Sequence, residues 1–139
     1  MEEQSEGIVE IEAIAAEFYK ALNAVFIGDL SSMVAIWSHS DDVTYMGPQG
    51  GILVGWEQIH ASWKEQAALK LEGKVEPMDT RIFVGHNFGF TQNYEIGTNF
   101  VYNKAEEIKI RATNIFRKEK GKWKMISHQT DLLSFLQNS

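Results

Sequence analysis

The sequence contains no cysteine and only two prolines among its 139 residues. The absence of cysteine excludes a disulfide scaffold, a thiolate nucleophile, a zinc finger and an iron–sulfur cluster. No apolar run approaches the roughly 20 residues that a membrane-spanning helix needs. The N-terminus is acidic, whereas a secretory signal begins with basic residues. We therefore predict a cytoplasmic protein without a membrane segment.

Basic residues are in the minority, with 13 Lys and Arg against 19 Asp and Glu, a formal net charge of −6. This balance disfavours a nucleic-acid-binding protein, because attraction to phosphates supplies most non-specific affinity. Much of the positive charge nevertheless lies between Lys104 and Lys124. Such a run is typical of the solvated face of a hairpin, and the alternative is a binding site for an acidic partner.

Apolar residues near the N-terminus recur every three or four positions, which is typical of an amphipathic helix. They are Ile8, Ile11, Ile14, Phe18, Leu22 and Val25. Gly28 predicts the end of this helix, and Asp29 predicts a cap for a short second helix over about 30–37. A third helical stripe runs from Trp56 to about Leu69.

The apolar pattern changes to a period of two after Gly73, which predicts long strands. Their ranges are 74–85, 88–101, 106–118 and 122–134, with short strands over 43–46 and 52–54 and turns at 103–104 and 119–121. Because helices and strands are segregated along the chain, we predict an α+β fold with helices on one face of a curved antiparallel sheet. The length favours one domain over 1–139, with a core from about 8 to 134.

Several segments resemble the SnoaL-like domains of the nuclear-transport-factor-2-like superfamily, over about residues 8–134. The similar segments are Gly28-Asp29-Leu30, residues 41–48, Arg111-Ala112-Thr113, Phe116-Arg117-Lys118, residues 121–124 and His128. The resemblance implies a cystatin-like cone, in which a strongly curved, mostly antiparallel sheet wraps around a long N-terminal helix with two further helices. It also implies a pocket at the open end and a homodimer formed through the outer sheet face. Because the superfamily includes ketosteroid isomerases, polyketide cyclases, dehydratases and a kinase association domain, the resemblance indicates fold more specifically than function.

The strand pattern assigns residues to the inside of this cone. On strand 106–118, Asn114 shares a phase with four apolar residues, so we predict that it is buried. A buried amide needs hydrogen-bond partners, which are either a ligand carbonyl or Tyr19 or a water. On the preceding strand we predict that Gln92 and Tyr94 face the same cavity.

Aromatic residues surround the predicted pocket. An aromatic stripe is more typical of plain core, but four tryptophans near a predicted cavity favour a flat, apolar or aromatic ligand. The predicted ligand-pocket residues are Trp37, Tyr45, Trp56, His60, Trp63, Gln92, Tyr94, Asn114 and Phe116.

The catalytic carboxylates of the ketosteroid isomerases are missing at the matching positions. In those enzymes an aspartate base stands directly before a proline, and here Gly47 precedes Pro48. Their oxyanion-stabilising carboxyl falls at about Asn114, and Tyr19 is the nearest match to their tyrosine donor. The resemblance therefore does not carry the steroid-isomerase mechanism to this chain.

His128 and His60 remain as candidate general acids or bases, with a structural hydrogen-bonding role as the alternative for each. A triad of Ser127, His128 and Asp131 is excluded, because adjacent strand residues point to opposite faces. His39 and Asp41 have a spacing compatible with a metal, but no further ligand is placed by a motif. We predict no metal site and no cofactor.

Two classes of function remain. The first is an isomerase, cyclase or lyase that acts on an apolar carbonyl-containing ligand, with His128 and Tyr19 as catalytic residues. The second is a non-catalytic ligand-binding or association domain. The expected partners are a small hydrophobic or aromatic molecule and a second copy of the chain, with no nucleic acid and no membrane.

Overall fold

The computed structural model describes residues 2–48, 50–98 and 107–131, with side chains from residue 6 onward. The predicted turn at 103–104 and the predicted strand ends at 99–101 and 132–134 lie outside the described residues. The elements are α1 (Glu2–Phe26), α2 (Ser31–Ile36), β1 (Thr44–Met46), β2 (Leu53–Val54), α3 (Trp56–Leu69), β3 (Lys74–Val84), β4 (Phe88–Thr98), β5 (Ile108–Glu119) and β6 (Lys122–Asp131).

The described strands form one six-stranded sheet in the order β2-β1-β6-β5-β4-β3. Neighbouring strands are antiparallel except β1 and β6, which run parallel. Irregularities in pairing bend the sheet between Met78 and Arg81 and between Ile115 and Phe116. Helix α1 packs against β3, β4 and β6, so one face of the sheet curves around it. The predicted α+β class and the mostly antiparallel sheet are confirmed.

The end of α1 follows the predicted signals. Gly28 adopts a φ of 95°, a left-handed conformation that glycine reaches without steric cost. The N–H of Asp29 then donates to the carbonyl of Ala24 at 2.9 Å, which closes the helix. The Asp29 carboxylate in turn accepts from the N–H of Ser31 at 3.0 Å, where α2 begins.

The closed end of the cone is filled by large apolar side chains. Trp37 pairs with Met125 through an isolated bridge, and Phe116 lies opposite Met125 in the β5–β6 ladder. Trp37 is 1% exposed, and Phe116 and Met125 are fully buried. This end of the structure is therefore solid core.

The inner face of β4 is the opposite of the predicted one, so the prediction that Gln92 and Tyr94 face the cavity is wrong. Gln92 is exposed and Tyr94 is half-buried on the outer face. The buried, inward positions are Gly89, Thr91, Asn93, Glu95 and Gly97. The reason is the close approach of α1, which leaves room only for small residues and for polar residues that find partners on the helix.

Among the described residues, no helix has the length and the apolar composition needed to cross a membrane. The predicted cytoplasmic location stays a prediction.

Candidate active site

A cavity of about 140 Å³ opens at the end of the cone opposite the solid core. Its walls are mostly apolar, and Glu95 and His128 are its ionisable members apart from Tyr45. The lining residues are Leu22, Phe26, Tyr45, Pro48, Trp63, Gln66, Leu71, Val75, Glu95, Gly97, Ile108, Ile110, His128 and Thr130. A neighbouring groove of about 260 Å³ shares Tyr45, Pro48, Gln66 and Leu71 with it.

Larger clefts lie elsewhere on the molecule. One of about 460 Å³ lies between the start of α1 and the β3–β4 turn, and one of about 390 Å³ lies on the outer sheet face. Both are lined largely by exposed polar and charged residues. We place the candidate site in the smaller cavity because buried titratable groups meet an apolar wall there.

Tyr19 is the centre of a buried hydrogen-bond network beside this cavity. Its hydroxyl donates to Glu95 Oε2 at 2.7 Å. The phenol oxygen of Tyr19 also accepts hydrogen bonds from Asn93 Nδ2 at 2.9 Å and from Asn114 Nδ2 at 3.1 Å. Two strands, β4 and β5, and helix α1 therefore meet at a single phenol, which fixes the position of the Glu95 carboxyl.

The hydrogen bonds of Asn114 assign the tautomer of His128. Asn114 Nδ2 donates to Tyr19 and to Thr91 Oγ1 at 3.2 Å, so Asn114 Oδ1 is an acceptor. His128 Nδ1 lies 2.5 Å from that oxygen and donates its proton to it. His128 Nε2 is then a bare acceptor, 3.7 Å from Glu95 Oε2.

Burial shifts the two ionisable groups in opposite directions. Loss of hydration raises the pKa of Glu95 to about 7, although the hydrogen bond from Tyr19 works against this rise. Loss of hydration lowers the pKa of His128 to about 3. Burial and the charge of Glu95 raise the pKa of Tyr19, so the phenol keeps its proton. Near neutral pH, Glu95 is the group that gains and loses a proton, and His128 is neutral.

The structure brings five of the predicted site residues together. Tyr45, Trp63 and His128 line the cavity, and Tyr19 and Asn114 lie behind its polar wall. The rings of Tyr45 and Trp63 stack with centroids 4.9 Å apart and an angle of 14° between their planes. The predicted alternative for Asn114, a hydrogen bond with Tyr19, is the one that the structure contains.

Four other predicted pocket residues do not line this cavity. Trp37 and Phe116 belong to the closed end of the cone, since Met125, their neighbour, precedes His128 by about 10 Å of extended strand. Trp56 lies about 10 Å along α3 from Trp63 and is stacked between His39 and His60, at centroid distances of 4.4 Å and 5.0 Å.

Glu95 is the residue that sequence reasoning missed. Hydrophobic alternation favours the opposite face of β4 as the core face, because that face carries Phe88, Phe90 and Ile96. In the other phase, two glycines flank Thr91, Asn93 and Glu95. Residues of these types are mostly exposed in proteins, so the sequence pattern alone does not indicate that this phase is buried. Gly47 supplies no carboxylate, and this cavity receives one from β4 instead.

No group of three or more His, Asp or Glu side chains within the described ranges is arranged to hold a metal ion. Tyr19 and Asn114 hold the two ionisable groups of the cavity by hydrogen bonds to Glu95 Oε2 and from His128 Nδ1. The arrangement is suited to proton transfer inside an apolar chamber.

A family model described as a SnoaL-like domain matches residues 11–133. No curated protein sequence matches the chain. A solved structure of a proposed dehydratase of the nuclear-transport-factor-2-like family from Streptomyces avermitilis is 18% identical, with a TM-score of 0.82 and coverage of 94% of this chain and 98% of that chain.

Two further solved structures have the same architecture. A proposed calcium/calmodulin-dependent protein kinase type II association domain from Thiobacillus denitrificans is 23% identical, with a TM-score of 0.71 and coverage of 88% and 94%. A protein with a cystatin-like fold from Caulobacter vibrioides is 16% identical, with a TM-score of 0.75 and coverage of 93% and 91%. At these identities the likeness shows the fold alone, and the predicted cystatin-like fold is confirmed.

Proposed function

Because the chain belongs to the family of SnoaL-like domains, we propose that it is an enzyme that moves a proton next to the carbonyl group of a small apolar molecule. The observation that carries this proposal is the buried carboxyl of Glu95 beside the bare Nε2 of His128 in an apolar cavity. A base works best when its pKa lies near the working pH, and burial raises the pKa of Glu95 to about 7.

In the proposed reaction, ionised Glu95 removes a proton from the carbon next to the carbonyl. The C–H electron pair forms a C=C bond, the π pair of the carbonyl moves to its oxygen to give the enolate, and the proton becomes the O–H of Glu95. His128 Nε2 accepts a hydrogen bond from that O–H, and Glu95 then returns the proton to the same or to a conjugated carbon. The net change is an exchange of the proton or an isomerisation, so no other reactant is consumed.

Tyr19 and Asn114 act as positioning residues in this proposal. Tyr19 donates to Glu95 and holds the carboxyl, and Asn114 fixes the tautomer of His128. Neither lines the cavity, so neither needs to touch the substrate.

Hydrogen–deuterium exchange tests the proposal without knowledge of the natural substrate. The probe is 2-cyclohexenone in D2O, followed by NMR at the carbons next to the carbonyl and conjugated with it. We expect the wild-type protein to accelerate the exchange and Glu95→Gln to lose at least about 100-fold of that acceleration. The matched control is Glu65→Gln, an exposed carboxylate of the neighbouring groove, which should keep wild-type rates.

Binding of the probe without any accelerated exchange would contradict the proposed chemistry. That result would favour the second class of function, a domain that binds a ligand without proton transfer. An equal loss of rate in Glu95→Gln and Glu65→Gln would also contradict the assignment of Glu95 as the base.

We also propose that the protein forms a homodimer through the outer face of its sheet. Exposed apolar side chains on this face support the proposal, since Phe88 is 54%, Met78 is 47% and Phe83 is 46% exposed. A surface with several exposed large apolar groups is stabilised when a second copy covers it.

A further inference from the structure

The enolate of the proposed reaction carries negative charge on the carbonyl oxygen of the ligand, and a hydrogen-bond donor in the cavity would stabilise that charge. The two groups assigned to proton transfer do not supply this donor. Glu95 takes up the proton from carbon, and His128 Nε2 carries no proton because the ring donates through Nδ1 to Asn114. The donor therefore has to be another group of the cavity wall.

Three other polar side chains of the cavity wall have protons that are already engaged or out of reach. Thr130 Oγ1 donates to a backbone carbonyl of β1 at 3.1 Å. Gln66 Nε2 donates to the hydroxyl oxygen of Tyr45 at 3.2 Å and to a serine hydroxyl of its own helix at 3.3 Å. The indole N–H of Trp63 is enclosed by protein, so a ligand in the cavity does not reach it. Among the described side chains of this wall, the hydroxyl of Tyr45 is left.

The hydroxyl of Tyr45 holds a proton that it can donate to a ligand. Burial raises the pKa of Tyr45, the hydrogen bond from Gln66 works against this rise and the charge of Glu95 adds to it, so the phenol is protonated at neutral pH. Because its oxygen accepts from Gln66, the O–H points away from that amide, and none of the described residues accepts it. A hydroxyl whose oxygen accepts a hydrogen bond is polarised, which strengthens its own donation.

The Tyr45 hydroxyl lies where the cavity meets the neighbouring groove. Gln66, which contacts the hydroxyl oxygen, lines both spaces, and Gly47 lines the groove. A Cβ atom on Gly47 would lie 2.9 Å from the hydroxyl oxygen of Tyr45, so the absence of a side chain at position 47 makes room for the hydroxyl. The donor is therefore placed at the boundary of two open spaces.

Two neighbouring rings hold the phenol of Tyr45 in position. It stacks on the indole of Trp63 with centroids 4.9 Å apart, and its centroid lies 5.8 Å from that of the His128 ring. Tyr45 and His128 are also directly opposite each other in the pairing of β1 with β6. A donor that is fixed before the reaction costs no reorganisation when charge develops on the ligand.

We propose that Tyr45 is a catalytic residue, whose hydroxyl donates a hydrogen bond to the carbonyl oxygen of the ligand and stabilises the enolate. The inference rests on the proposed function, to which it adds the group that holds the charge. The cavity of about 140 Å³ is close in size to the roughly 150 Å³ that holds one molecule of benzene. A ligand built on one six-membered ring therefore contacts the walls that carry Tyr45 and Glu95 at the same time.

Exchange of 2-cyclohexenone in D2O tests the inference kinetically. We expect Tyr45→Phe to lower kcat about 100-fold, as the loss of one oxyanion donor does. The KM should change much less, because the hydrogen bond strengthens as charge develops on the oxygen. The matched control is Tyr94→Phe, which removes a phenol hydroxyl from the outer face of β4 and should keep wild-type rates.

Infrared spectroscopy tests whether the Tyr45 hydroxyl contacts the carbonyl group. The probe is cyclohexanone, and the difference between its carbon-13-labelled and unlabelled forms isolates the carbonyl stretch. A hydrogen bond weakens the C=O bond, so the stretch should lie at lower frequency in the wild-type protein than in Tyr45→Phe, and Tyr94→Phe should match the wild type. Replacement of Tyr45 by 3-fluorotyrosine, a stronger acid of nearly the same shape, should lower the frequency further.

Wild-type exchange rates in Tyr45→Phe, or the same carbonyl frequency in Tyr45→Phe and the wild-type protein, would overturn the inference and leave the assignment of Glu95 as the base intact. A wild-type protein that accelerates no exchange would overturn the proposed function and the inference with it. If Tyr45→Phe fails to fold, the 3-fluorotyrosine protein decides: a lowered carbonyl frequency supports the donor, and an unchanged frequency overturns it.

Discussion

At the scale of single residues, the surroundings of two carboxyl groups give them opposite acid–base properties. The Asp42 side chain is 62% exposed and lies 2.7 Å from the Arg117 guanidinium. Hydrogen bonds from Arg117 hold the pKa of Asp42 well below its usual range. Among the described residues, no Lys or Arg forms an ion pair with Glu95, and burial raises its pKa to about 7. Asp42 therefore stays ionised, while Glu95 changes its charge near neutrality.

The raised pKa of Glu95 predicts how stability depends on pH. The folded protein holds the proton of Glu95 more tightly than the unfolded chain does, so stability falls as the pH rises from about 4.5 through about 7. A pKa change of this size corresponds to about 3 kcal/mol. We expect Glu95→Gln to remove this fall, so its stability relative to the wild-type protein should increase from pH 5 to pH 8. Urea denaturation at several pH values measures the difference.

The titration of His128 should lower the stability at acid pH, which gives an internal check on the effect of Glu95. Its folded pKa lies near 3, below the ordinary value of 6.5, so stability falls as the pH drops through that interval. Glu95→Gln should leave this acid limb in place. A stability difference between wild type and Glu95→Gln that is the same at pH 5 and pH 8 would contradict the buried titration of Glu95.

Tyr19→Phe removes one hydroxyl from the centre of the buried network. Asn93 and Asn114 then lose an acceptor and Glu95 loses a donor, so we expect a loss of about 1–3 kcal/mol in the free energy of unfolding. Because the hydrogen bond from Tyr19 lowers the pKa of Glu95, its loss should shift the alkaline limb of the stability profile to higher pH.

The control for this change is Tyr94→Phe, on the outer face of β4, the strand that carries Glu95. This substitution should change the free energy of unfolding by no more than about 0.5 kcal/mol, as an ordinary surface substitution does. Equal effects of the two substitutions, or an alkaline limb that does not move in Tyr19→Phe, would be incompatible with the network.

At the scale of elements, the contact between α1 and β4 decides which face of the strand is buried. A Cβ atom on Gly89 would lie 2.6 Å from Ile11 Cδ1 and 2.8 Å from Ile11 Cγ1. The helix therefore approaches the strand so closely that the Ile11 side chain fills the space of a Cβ atom at position 89 and would have to move to admit one. This approach brings Tyr19, two turns further along α1, within hydrogen-bonding distance of Glu95.

Gly89→Ala tests the close approach. The added methyl group has no space beside Ile11, so we expect a destabilisation of about 1–3 kcal/mol. Ile11→Val removes the nearest carbon and should recover part of that loss when the two changes are combined. Thermal or urea unfolding of the two single variants and the double variant gives the coupling. Additive effects of the two changes would mean that the helix and the strand do not meet as described.

The contact of α1 with β4 also explains why the sequence predicts the inward face of one strand and not of the other. On β5 the inward phase contains Ile110, Ala112 and Phe116, so hydrophobic alternation assigned it correctly and placed Asn114 inside. On β4 the inward phase is polar and glycine-rich, so alternation assigned the wrong face. Hydrophobic patterns also do not predict how far a buried residue lies from the open end of the cone. The predicted pocket therefore includes Trp37, although Trp37 lies in the closed end. The end of α1 at Gly28 and the hairpin turn at 119–121 depend on local signals, and the sequence predicted both.

At the scale of the whole molecule, the cone has a solid end and a hollow end, and none of the described helices covers its outer sheet face. Large side chains such as Trp37 and Phe116 fill the first end, and the cavity of about 140 Å³ occupies the second. The stability of the fold and the chemistry of the site therefore belong to different ends of one structure. The outer face remains for the proposed association of two copies.

Phe88→Lys tests the proposed dimer. A charge buried in an apolar interface is unfavourable, so this variant should be monomeric at concentrations where the wild-type protein is dimeric. Sedimentation equilibrium measures the association. The matched control is Ile52→Lys, since Ile52 is 63% exposed but precedes β2 at the opposite side of the sheet. A wild-type protein that is monomeric, or a Phe88→Lys variant that still associates, would contradict this interface.

The central claim is that a buried carboxyl group with a raised pKa faces the cavity. Its most direct test is a carbon-13 NMR titration of glutamate side-chain carboxyls, with the Glu95 resonance assigned by its loss in Glu95→Gln. We expect one carboxyl to titrate with a midpoint of about 7 and to disappear in that variant. A Glu95 resonance that titrates near 4.5, like an exposed glutamate, would contradict the account.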